Sequence, residues 1–281
     1  MKEKKKNKKK DKKNKKDKSK DLQTFDKYHY YLRSVQSPAA DVVFLRDTYK
    51  EIRKKPAKTL CEDFCGTFSI SCEWTKLDKQ HHAIGVDLDP EPLAYGKAHH
   101  LSQLNEEQTK RMKIIEGNVL DESLPKADIV SASNFSYYIF KQRQQLLDYF
   151  KNAKKRCKKD GLFIIDSFGG PDCMEAIEEE TDYGDFKYFW DEDHFDPVTN
   201  YAQFYIHFKR KGEKKREKVF SYDWRMWSIP ELRDLMLDAG FKNVHIYWEG
   251  EDENGEGNGE FKRVTEGEEV RAWVAYLVGE A

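Results

Sequence analysis

The stretch TLCEDFCGTFSISCEW, residues 59–74, gathers three cysteines, three acids and one glycine, and three chemistries compete for it. Cys61, Cys65 and Cys72 are spaced C-x3-C-x6-C, with Phe68 where a cluster-binding loop would need its third thiolate. A zinc site would want C-x2-C pairs, and the matching second pair is absent. The cysteines therefore read as small apolar filler, and no metal is expected. The acids offer more. Glu62 ends a predicted strand, Gly66 lies in the turn that opens a helix, and Asp87 ends the next strand. An acid about 20 residues beyond a glycine turn can accept hydrogen bonds from both hydroxyls of a ribose. A nicotinamide enzyme of this type would also need a second and third glycine to admit a pyrophosphate, and the chain lacks both.

The surrounding pattern supplies the elements that such residues need. After a helix capped by Ser37-Pro38, strands KTLCEDF, HAIGVDL, MKIIEGN, ADIVSAS and GLFIIDSF alternate with helical segments, the last of them from Lys141 to Cys157. Short apolar strands separated by helices indicate a parallel sheet covered on both faces, a doubly wound α/β fold. NVHIYWEG and VRAWVAYLV, around the polar loop EDENGEGNGEF, bring the sheet to seven mostly parallel strands. Between strand five and the helix SIPELRDLMLDAGF, residues 183–228 alternate with period two and read as an inserted antiparallel meander, placed to act as a lid.

Composition narrows the class. Net charge is −1 over 281 residues, but residues 1–20 alone carry +10, leaving −11 on the rest. The Lys-rich tail, residues 1–21, has no apolar residues between Met1 and Leu22 and is expected to be disordered and solubilising; nucleic-acid contact through it is the less favoured reading. The acidic body, residues 22–281, argues against a large polyanion as main substrate. No apolar run reaches the roughly 20 residues of a membrane span. Five Cys, an odd number, and a charged N-terminus indicate reduced thiols and a cytoplasmic protein.

Taken in order, CEDFCGTFSI, AIGVDLDPEPLAYG, IIEGNVLD, ADIVSASNFSYYIF and KKDGLFIIDSFGG resemble class I S-adenosylmethionine-dependent methyltransferases of Rossmann-like fold, over roughly residues 58–170. AGFKNVHIYWEG and RAWVAYLVG are similar to that family's closing strands. The resemblance implies the cofactor S-adenosyl-L-methionine. Glu62 would hold its amino end, Gly66 would let the backbone approach, and Asp87 would grip the ribose. Asn118 and Val119 would meet the adenine, and Asn134 the methionine moiety. Phe64 and Phe68 depart from the family, standing where it has glycines, and Asn118 replaces its usual acid. SNFSYYIF resembles the small-molecule branch that includes glycine N-methyltransferase. That implies a small acceptor methylated at N or O, with Tyr137, Tyr138, Trp224, Arg225 and Trp227 as substrate contacts. Trp190 would add to the lid's aromatic wall, and Tyr28, Tyr30 and Tyr31 would fold over the cofactor. No residue is forced into the role of catalytic base. A protein or RNA methyltransferase docked through the Lys tail, and a non-enzymatic cofactor-binding regulator, are the alternatives.

Overall fold

The computed structural model describes residues 24–253, 255 and 257–281, so the Lys-rich tail lies outside the described residues. Helices α1 (Lys27–Val35) and α2 (Pro38–Arg53) precede β1 (Thr59–Asp63), α3 (Ser69–Leu77), β2 (His82–Asp87) and α4 (Pro90–His99). The single turn α5 (Glu106–Thr109), β3 (Met112–Glu116), β4 (Ala127–Ala132), α6 (Arg143–Arg156) and β5 (Cys157–Gly169) follow. Helix starts obey their local chemistry. Pro38 and Pro90 stand in first turns, where a missing N–H costs nothing, and the Asp89 carboxylate accepts from the Glu91 N–H.

The chain then builds a second sheet from β6 (Ile177–Asp182), β7 (Phe186–Asp196), β8 (Tyr201–Arg210) and β9 (Arg216–Arg225). It returns through α7 (Ile229–Asp238) to β10 (Val244–Glu251), β11 (Gly257–Val264) and β12 (Trp273–Glu280). Ser228 and Glu231 form a reciprocal capping box at the start of α7, the signature SIPE announces. The meander begins six residues before its expected start at 183, because β6, IEEETD, is exposed throughout and shows no alternation of burial to read.

The main sheet has the order β11-β10-β12-β5-β4-β1-β2-β3, with β1 to β5 parallel and β12 antiparallel to both its neighbours. The seven expected strands are present. β11 adds an eighth on the edge, beginning inside the segment read as a polar loop and running three residues past it; it is held by pairing with β10, and six of its eight residues are exposed. Strand alternation divides the core. On β5, Leu162 and Ile164 face α2 and α3 with Leu60, Ile129 and Trp74. Phe163 and Ile165 face α6 and α7, with Leu146, Phe150 and Leu235, and this second layer runs on into the meander through Phe204 and Trp224.

Candidate functional site

β2 and β4 flank β1: the chain leaves β1 for β2 on one side and crosses back from β3 to β4 on the other, and a crevice opens beyond the carboxyl ends of β1 and β4. Ligands of open α/β sheets bind at such a switch point. A cleft of about 270 Å³ occupies it, lined by Glu62, Phe64, Gly66 and Thr67 after β1 and by Ser133, Asn134 and Ser136 after β4. Glu62 is 3% exposed, and its Oε2 accepts from the Ser71 N–H at 2.9 Å and the Ser71 hydroxyl at 2.5 Å. Burial pushes its carboxyl up to about 8 against those two bonds, with Asp41 and Asp87 nearby adding to the rise. Ser71 was not anticipated; its position in the first turn of α3 is the signal that could have found it.

Asp87 ends β2 beside the cleft. Its Oδ2 accepts from the Gly66 N–H at 2.7 Å and its Oδ1 from the Asp89 N–H at 2.9 Å. Each oxygen keeps acceptor capacity beyond one N–H. Gly66 takes φ +52°, and a Cβ there would meet nothing within 4 Å, so the turn opens onto empty space. Phe64 and Phe68 adopt left-handed backbones as well, at φ +54° and +49°. They occupy glycine-like conformations at a cost of about 1–2 kcal/mol each. Phe68 is fully buried among Cys65, Cys72, Leu93 and Leu104. Gly96 on α4 makes room for it: a Cβ there would stand 2.5 Å from the Phe68 ring and 2.3 Å from the Thr67 carbonyl oxygen. Phe64 turns its ring against Phe140 and Tyr149. Phe64 forms part of the cleft wall, and Phe68 does not line it.

The loop after β4 is held by a residue that sequence reasoning passed over. Asp166 on β5 accepts from the Asn134 N–H at 2.6 Å and the Phe135 N–H at 2.9 Å, pinning two consecutive residues at φ +56°. It is buried, and burial raises its carboxyl to about 7 against those bonds. The roof is aromatic. Tyr28 and Tyr31 of α1 and Phe220 and Tyr222 of β9 close the cleft from above, whereas Tyr30 faces away, into Phe186 and Phe208. His29 is exposed.

Several expected contacts fall elsewhere. Tyr137 and Tyr138 are fully buried; Tyr137 donates to the Asp166 carbonyl at 2.7 Å, and the Tyr138 hydroxyl pairs with that of Ser167 at 2.7 Å. They are core residues, because the turn of Ser136–Ile139 directs them under the sheet ends. Trp224 is buried against Tyr222, Phe204 and Phe168. Trp227 is buried beyond the end of β9. Arg225 lies opposite Trp224 in facing, stacks on Trp227 at 3.7 Å, and donates to the Lys141 carbonyl and the Glu231 carboxylate. None of these lines the cleft. Asn118 is exposed, its side-chain oxygen accepting from the Leu120 N–H at 2.9 Å, while Val119 is buried beside it and its carbonyl accepts from Asn152 at 2.7 Å.

Cys61, Cys65 and Cys72 are buried in two separate apolar clusters. Among the described residues, one trio has metal-ligand spacing, Glu178, Asp191 and His207. The Lys218 N–H donates to His207 Nδ1 at 2.7 Å, so Nε2 carries the proton and donates to Asp191 at 2.9 Å. A protonated nitrogen offers a metal no lone pair.

The fold is that of S-adenosylmethionine-dependent methyltransferases. A methyltransferase of that class from Clostridium acetobutylicum superposes with a TM-score of 0.66 at 16% identity, covering 90% of this chain and 96% of its own. An amino pentose methyltransferase from Micromonospora echinaspora gives 0.62 at 12% identity, over 90% of this chain and 97% of its own. A sugar N-methyltransferase from Streptoalloteichus gives 0.60 at 15% identity, over 92% and 93%. No family model and no curated protein matches the chain by sequence.

Proposed function

We propose that residues 22–281 form an S-adenosylmethionine-dependent methyltransferase domain acting at N or O of a small molecule. The carrying observation is the convergence of the Glu62 carboxylate, the open Gly66 turn and the Asn134 loop on one cleft at the switch point. The chain's own residues fit the cofactor. A buried acid with one oxygen uncommitted suits an ammonium group, and the space at Gly66 admits a ligand where a side chain would stand. Asp87 retains acceptor capacity for ribose hydroxyls. Asn118 and Val119 are carried by the resemblance alone, with the Asn118 amide already engaged in its own turn.

When bound, the cofactor supplies an electrophilic sulfonium methyl group for in-line displacement. The protein's share is position and dryness. Asp166 holds the Asn134 turn at the cleft, and Tyr31 and Tyr222 exclude water from above. A small acceptor is favoured because α1 and β9 roof a cleft near the lower limit for small-ligand sites. The sugar and amino pentose methyltransferases that share the fold support the same substrate class.

Calorimetry with S-adenosylmethionine tests the reading. Asp87→Ala is expected to weaken binding by about 1.5–3 kcal/mol, the scale of a hydrogen bond to a charged group. Equal affinity in a folded Asp87→Ala protein would remove the ribose assignment, and no binding to the unaltered protein would remove the whole reading.

A further inference from the structure

A second and larger cleft lies beside the end of β5, between the inner face of the meander and the strands β10 and β12. It measures about 650 Å³ and is lined by Phe168 of β5, Trp190 and Glu192 of β7, Trp248 of β10 and Trp273 of β12. The Trp190 ring, 6.0 Å from that of Tyr222, stands between it and the cofactor cleft. Glu192 is the unusual member. It is 8% exposed, its Oε1 accepts from the Trp190 indole N–H at 3.1 Å, and its Oε2 has no hydrogen-bond partner among the described residues. An unpartnered buried carboxylate oxygen is costly, and among the described residues the lining holds no Lys or Arg to answer it. Burial, with Glu179 and Asp172 nearby, pushes its carboxyl up to about 7.

We propose that this cleft binds an organic ammonium ion, with Glu192 as its buried counter-charge and the three tryptophans as its walls. Trp248 and Trp273 line the cleft with ring centroids 5.3 Å apart, and the indole is the aromatic ring that best attracts a desolvated cation. Glu179 adds negative charge at the exposed rim. A bare divalent metal is the poorer occupant. It needs several oxygens converging within coordination distance, and no trio in this cleft meets that spacing among the described residues. An apolar body joined to a cationic head satisfies both the indole walls and the uncommitted oxygen.

The site stands apart from the methyl-transfer reading, and its test uses the full chain without cofactor. Phenethylamine and its neutral counterpart 2-phenylethanol are titrated at pH 8, where Glu192 is ionised, with tryptophan fluorescence and calorimetry as readouts. The ammonium probe is expected to bind at least roughly tenfold more tightly than the alcohol. Glu192→Gln removes that preference and leaves the alcohol unchanged. Glu179→Gln, which alters only the rim, weakens the ammonium probe by a smaller factor of about three, and only at low salt. Equal binding of the two probes, no response to either substitution, or no binding at millimolar concentration would overturn the proposal.

Discussion

Glu62 illustrates how much one side chain can report. Its carboxyl titrates near 8, so near neutral pH the ligand-free protein holds it mostly protonated. A bound ammonium group favours the ionised form, so binding must release a proton. The apparent affinity for S-adenosylmethionine should rise with pH and level off above about 8. Calorimetry in buffers of different ionisation enthalpy would show the released proton, and Glu62→Gln should abolish it; a buffer-independent heat in the unaltered protein would contradict the assignment. Glu62 could be placed at the cleft from the sequence because it stands near the carboxyl end of a parallel strand at the switch point, although Asp63 next to it faces the other way and pairs with Arg156. Arg225 could not be placed in this way. Its neighbours in sequence, Trp224 and Trp227, suggested an aromatic wall, but pairing with Glu231 is a contact that only the third dimension supplies. Arg225→Ala should therefore leave cofactor affinity and turnover within about twofold and lower stability by about 1 kcal/mol, the scale of one part-exposed ion pair with a stacked ring. A large loss of kcat/KM would restore it to the acceptor site.

At the scale of elements, the loop after β1 and helix α4 are shaped for each other. Alanine normally improves a helix over glycine by about 1 kcal/mol. At Gly96 the order should reverse, because the added carbon would press on the Thr67 carbonyl and the Phe68 ring. Overpacking of this kind costs about 1–3 kcal/mol. Gly96→Ala should thus lower the denaturation midpoint and weaken cofactor binding together; a stabilised variant would show that the Phe68 loop yields freely. Helix α1 has a different role. Tyr31 packs on Phe220, Arg33 pairs with Asp185 at 2.7 Å, and Lys27 reaches Glu91 at 2.7 Å, so one short helix straps the meander to the main sheet across the cleft. With S-adenosylhomocysteine bound, amides of residues 27–35 should gain roughly tenfold protection from hydrogen exchange, since a filled cleft removes their cheapest opening. Unchanged exchange would mean that the strap does not respond to the site. The alternation of strands and helices made the sheet readable in the sequence. β6 and β11 were not readable, because both are held by backbone pairing while most or all of their side chains remain exposed.

Across the whole molecule, the buried acids set an unusual dependence of stability on pH. Glu62, Asp166 and Glu192 are all less than a tenth exposed and titrate near 8, 7 and 7 in the folded protein. In the unfolded chain they would titrate in the ordinary carboxylate range, so between the two values the folded state binds more protons. Stability then falls as pH rises, the reverse of the ordinary salt-bridged carboxylate. His81 and His100 oppose this below neutrality, since burial lowers both. Above about pH 7 they are nearly neutral in both states and contribute little. Burial also raises all five cysteine thiols, which adds to the fall as the thiols of the unfolded chain begin to ionise towards about pH 8.5. The acids' own shifts amount to a loss of about 2 kcal/mol from about pH 7 to about pH 8.5, most of it from Glu62. For a domain of this size that is a fall of several degrees in Tm. Thermal unfolding of the ligand-free protein across this range measures it directly. Glu62→Gln should remove the largest single share of the slope, and saturating S-adenosylmethionine should do the same by supplying the positive charge that lets Glu62 ionise in place. A Tm that is flat or rises over this range in the unaltered, ligand-free protein would show that the Glu62 carboxylate is already ionised, and with it would go the proton release expected on cofactor binding.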